Sequence, residues 1–146
     1  MGCQFLAPTP ELRSRILRFF DVEIAAASLL KVGKENLQTT SDGTPHWFNG
    51  EKGAELFYVV NAGQVVRFHA SFLGNYVEGA QGKSLKCGQV MEDTGGEGPR
   101  YKGSNLIKWD PARHEEIRGT FLKFIEAIEG LPGDDKTAIL KALAPT

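Results

Sequence analysis

The chain has 146 residues, 17 basic and 18 acidic side chains, and a formal charge of −1. With 41% hydrophobic and 24% charged residues it reads as one globular domain over residues 1–146, neither a disordered tail nor a fibrous repeat. Balanced charge gives no long-range pull toward a polyanion, so no nucleic acid is expected as a partner. No run approaches the ~18 apolar residues of a membrane span, so no membrane is expected either.

Cys3 and Cys87 are the only cysteines, and nothing in their placement requires a disulfide. Met1-Gly2-Cys3 opens like a lipidation signal, but Leu6 stands where Ser or Thr is needed. The N-terminus lacks a basic segment followed by an apolar run, so the expected location is cytoplasmic.

Thr9-Pro10-Glu11 starts the first helix: Thr9 caps, Pro10 suits the first turn, and Glu11 complements the dipole. Leu12, Ile16, Phe20, Ile24, Ala27 and Leu30 follow at steps of three and four, which predicts a face turned to the core. Gly33 is the expected stop, and Asp21 is a candidate break within the helix. Residues 36–53 read as a long connection with turns at Asp42-Gly43, Pro45 and Asn49-Gly50, in which His46, Trp47 and Phe48 are unusually large.

Leu56–Val60 and Val65–Leu73 read as a hairpin around Asn61-Ala62-Gly63-Gln64. Tyr76-Val77-Glu78 continues the second strand or starts another. A strand over Ser84–Glu92, a glycine-rich loop over Asp93–Gly103 and a strand over Asn105–Trp109 complete the set. Asp110-Pro111 then opens a helix with Ile117, Phe121, Phe124, Ile125 and Ile128 on one face and Gly130 at its end. Asp134 or Asp135 caps a last helix carrying Ile139, Leu140 and Leu143. Helices at both ends of a run of strands predict an α+β fold. The expected form is an antiparallel β-meander of about four strands, packed on one face by an N-terminal helix and two C-terminal helices.

With Ala62-Gly63 as a two-residue loop and unbroken pairing, Phe57, Val59, Val66, Phe68, Ala70 and Phe72 fall on the core face. Leu56, Tyr58, Val60, Val65, Arg67, His69 and Ser71 fall on the other. That second face is mixed in polarity, and a one-residue slip would rearrange it.

The tests for chemistry are mostly negative. Gly82-Lys83-Ser84 lacks the earlier glycine and the following helix of a phosphate-binding loop. Gly95-Gly96-Glu97-Gly98 lacks the dinucleotide spacing. His46, His69 and His114 stand apart, without paired metal-ligand spacing, so neither metal nor cofactor is expected. Cys87 sits in an alternating strand as a small hydrophobe. The basic side chains Arg13, Arg15, Arg18 and Lys31 come without the strand pattern of an RNA-binding domain. The remaining expectation is a non-enzymatic interaction protein. Its mixed sheet face or aromatic loop would contact a protein partner or a second copy in a homodimer. The candidate residues are Trp47, Tyr58, Arg67, His69 and Glu78. The alternative is a small-molecule site or small enzyme, with Arg67 holding an anion, His69 carrying a proton and residues 93–103 closing over them.

Overall fold

The computed structural model describes residues 7–91 and 106–145. The order is α1 (Pro10–Ser28), β1 (Leu30–Lys31), β2 (Thr44–Asn49), β3 (Glu55–Asn61), β4 (Gln64–Phe72), β5 (Asn75–Ala80), β6 (Lys86–Met91), β7 (Leu106–Trp109), α2 (His114–Ala127) and α3 (Gly133–Leu143). The fold is α+β, with one antiparallel sheet in the order β1 to β7 and three helices.

Seven strands replace the expected four. Two come from the segment around the expected long connection. Asp42-Gly43 is a turn, but Asn49-Gly50 is not: Asn49 ends β2 opposite Glu55, and the chain turns at residues 51–53, where Lys52 and Gly53 have positive φ. Residues 44–49 pair with β3 along their whole length. Pro45 argued against a strand, yet β1 pairs only with Phe48 and Asn49. At Pro45, β2 is therefore an edge strand, where a missing N–H is tolerated. His46, Trp47 and Phe48 are strand residues, not a loop. A third extra strand arises at Leu73-Gly74, where both residues have positive φ (47° and 75°) and the chain reverses into β5.

The first helix begins as read: the Thr9 hydroxyl accepts from Leu12 N at 3.2 Å and Pro10 is its first residue. It runs unbroken through Asp21 and ends at Ser28, so Gly33 does not cap it. The expected core stripe is also displaced. Leu12, Ile16, Phe20 and Ile24 are exposed, and the buried residues of α1 are Ala25 and Ala26. Asp110 accepts from Arg113 N, and a short 3₁₀ turn leads into α2. At α3 neither Asp134 nor Asp135 caps; Pro132 precedes the first turn without a side-chain bond.

The core lies between the sheet and the C-terminal helices. Phe72 of β4 stacks on Phe124 at 5.0 Å and meets Phe121 edge-on at 6.3 Å. Ile117, Phe121, Phe124 and Ile125 of α2 are fully buried with Leu56, Tyr58, Ala70 and Val77 of the sheet. Ile139 and Leu143 of α3 join the same cluster. α1 contacts α2.

Candidate functional site: the outer sheet face

The β3–β4 hairpin decides which side chains share a face. Its two-residue turn, Ala62-Gly63, has positive φ at both positions (50° and 75°) and holds Val60 opposite Val65. A bulge follows: Val59 pairs with Arg67, leaving Val66 as the extra residue. From there Tyr58 pairs with Phe68, Phe57 with His69, and Leu56 with Ala70. Of the β4 half of the expected core face, Phe68, Ala70 and Phe72 are buried, while Val66 is half-buried. The β3 half is exchanged: Leu56 and Tyr58 point inward, while Phe57 and Val59 join Arg67 and His69. One inserted residue turns every later β3 side chain to the opposite side.

Tyr58 therefore leaves the candidate set. It is fully buried on the inner face, stacked on His46 at 4.8 Å, and its hydroxyl donates to Asp135 Oδ2 at 2.9 Å. Burial first, and the Asp135 carboxylate second, push its ionisation far above the usual tyrosine range. Asp135 thus ties α3 to the sheet instead of capping the helix. The neighbouring His46 is held below the usual histidine value by burial, with Lys31 adding to the effect.

The structure brings Trp47, Arg67, His69 and Glu78 to the outer face. Register runs Trp47 opposite Phe57, Phe57 opposite His69, and His69 opposite Glu78. The next rung offset pairs Tyr76 with Gly88 and Gly88 with Trp109. An aromatic row results. Phe57 and His69 stack at 5.0 Å, His69 and Tyr76 at 5.8 Å, and Tyr76 meets Trp109 edge-on at 5.9 Å. Gly88 is the register position between Tyr76 and Trp109, and the backbones pack closely there: a Cβ on it would stand 2.6 Å from Lys108 O. Sequence reading missed Phe57, Tyr76 and Trp109 as site residues. Period-two alternation was visible in each strand, but the row exists only once five strands are in register.

Charges line the row. Arg67 Nε donates to Asp42 Oδ2 at 2.5 Å, and its guanidinium lies 5.3 Å from the Phe57 ring centre. The Arg67 hydrogen bond, aided by Thr40, holds the Asp42 carboxyl down at about 2. Gly43, beside Asp42, packs so closely on Val59 and the Val60 carbonyl that a Cβ would be 2.4 Å from that oxygen. This segment covers Val59, which is fully buried although it points outward. His69 Nε2 lies 3.3 Å from Glu55 Oε1. The Tyr76 hydroxyl donates to Glu78 Oε2 at 3.2 Å, and Lys86 reaches Glu78 at 3.7 Å and the Trp109 ring at 5.3 Å. Burial, then Glu78, raises the Tyr76 ionisation beyond the tyrosine range.

A separate groove of about 500 Å³ opens on the other side, between α3 and the β4–β5 end. Val65, Phe68, Leu85 and Ala138 line it, with Lys83 and Lys141, and Arg67 alone of the candidate residues borders it. Cys87 is buried and its thiol is pushed up to about 11, so it is a weak nucleophile at neutral pH. Among the described residues no three His, Cys, Asp or Glu side chains gather as a metal set, and no helix is long and apolar enough to cross a membrane. The glycine-rich loop 93–103, Gly2 and Cys3 lie outside the described residues. Comparison with protein-family models, curated proteins and solved structures gave no match.

Proposed function

We propose that this chain is a non-enzymatic cytoplasmic interaction protein that docks a polypeptide partner on its outer sheet face. The observation that carries the reading is the aromatic row Phe57–His69–Tyr76–Trp109, flanked by Arg67, on the face opposite the helical core. Tyr, Trp and Arg supply large contact areas at little entropic cost and dominate interface energetics. A polyanion fits this face poorly, because the carboxylates of Asp42, Glu55 and Glu78 outnumber the cations of Arg67 and Lys86. His69 has a carboxylate neighbour, and among the described residues no hydroxyl or thiol is hydrogen-bonded to its ring as a hydrolytic set requires; the nearby Ser71 hydroxyl donates to Gly53 O instead.

The test is site-specific photo-crosslinking in cells, with the reactive residue at Trp109 or, as a control, at exposed Lys123 on α2. A discrete adduct from position 109 and none from 123 is expected. The protein in that adduct, once purified, should bind Tyr76→Ala/Trp109→Ala at least roughly tenfold more weakly than wild type. Equal adducts from both positions, or undiminished binding by the double variant, would remove the proposal.

A further inference from the structure

The helix α1 presents an apolar face that the described residues of the domain leave exposed. Val22, Ala25 and Ala26 pack toward the core. At 3.6 residues per turn, Leu12, Ile16, Phe20 and Ile24 lie on the other side, flanked by Leu17 and Phe19. All six are exposed, from 41% at Ile16 to 60% at Phe19. Side chains of this size leave roughly 500 Å² of apolar surface in water, at the upper end for the largest patch of a monomer.

The charge pattern identifies what fits there. Arg13 and Glu23 lie within the same arc, and neither has an ion-pair partner among the described residues. The apolar residues of this arc pair off at equal distances from Arg18: Leu12 with Ile24, Ile16 with Phe20, Leu17 with Phe19. The charged pair on the arc is opposite in sign, Arg13 against Glu23; so is Arg15 against Asp21, although Asp21 already lies 3.7 Å from Lys52. A second α1 laid antiparallel and centred near Arg18 therefore meets apolar residues with apolar residues. It also brings each Arg13 level with the other copy's Glu23, and the helix dipoles oppose favourably. This is the self-complementarity that a two-fold interface requires. A parallel copy in register would set like charges side by side.

We infer that the protein forms a two-fold homodimer through antiparallel α1 helices, leaving the outer sheet face free. An interface of about 800 Å² per partner is standard. The six side chains supply most of it, and the arginine and glutamate stems supply the rim.

Sedimentation equilibrium of the full chain tests this. Wild type should be a dimer. Ile16→Glu should be monomeric, with an unchanged circular dichroism spectrum because position 16 lies outside the core. Arg13→Glu should weaken the dimer roughly tenfold or more, and Arg13→Glu/Glu23→Arg should restore it, since reversing both charges recreates the complementarity. A monomeric wild type, at concentrations up to the solubility limit, would overturn the inference. So would a dimer that survives Ile16→Glu. Failure of the double reversal to rescue would overturn the antiparallel arrangement. The crosslinking result at Trp109 is independent of all three.

Discussion

The two faces of the sheet share one backbone and carry different chemistry. The inner face presents Leu56, Tyr58, Phe68, Ala70 and Phe72, closed off by α2 and α3 with almost no exposed surface. The outer face presents Phe57, Arg67, His69, Tyr76 and Trp109, whose rings touch chiefly one another. Trp109 keeps 43% of its surface in water. Aromatic residues are abundant on both faces, so composition does not separate a stabilising face from a binding one. What separates them is whether a second layer removes the rings from water, because burial and close packing supply the stability.

The sharpest break in this comparison is Phe124→Asp. It places a carboxylate in a fully buried site against Phe72. An uncompensated buried charge costs several kcal/mol, comparable with the ~5–15 kcal/mol that hold a domain folded. The variant should be unfolded or molten by near-ultraviolet circular dichroism, and a native-like spectrum would refute the core assignment.

Tyr58→Phe is the smaller, inner-face probe. It keeps the ring and removes the bond to Asp135. A loss of about 1–2 kcal/mol in denaturant unfolding is expected. No loss would mean that Asp135 does not anchor α3.

The outer face is probed by pH. Asp42 ionises at about 2 because the Arg67 guanidinium binds its charged form, whereas the ordinary value is 3.8. A depressed carboxyl adds stability that is fully present above the ordinary value and is lost as pH falls through the folded one. Nuclear magnetic resonance titration should place the Asp42 midpoint near 2, and Arg67→Gln should raise it toward 3.8. An unmoved midpoint would assign the effect to Thr40 and the local backbone.

The smallest expected effect concerns Cys87. Burial pushes its thiol to about 11, so in a Cys3→Ser background native protein should resist iodoacetamide at neutral pH and label only on unfolding. Rapid native labelling would mean that β6 opens readily.

How much of this was legible beforehand follows from the range of the interactions involved. Thr9-Pro10 and Asp110-Pro111 act within one turn: the first starts α1 where it stands, and the second opens the 3₁₀ turn that leads into α2 at His114. The core face of α2 follows from 3.6 periodicity and is buried as read. The two-residue Ala62-Gly63 turn was also legible. The bulge at Val66 was not: valine has no conformational signature for it, and it alone moved Tyr58 inward and Phe57 outward. The stripe on α1 was legible as apolar, but periodicity does not reveal what covers a face, and here the core formed by the described residues does not. Asp135 looked like a helix cap because its partner, Tyr58, lies 77 residues away.

The division of roles between the faces is tested most directly by denaturant unfolding of Phe72→Ala beside Trp109→Ala. Phe72→Ala should lose about 3–5 kcal/mol, as expected for an aromatic removed from a closed core. Trp109→Ala should lose about 1 kcal/mol or less, with an unchanged denaturant slope, because its ring is only partly covered, keeping 43% of its surface in water. Losses of equal size would contradict the account and make the outer aromatic row a second core.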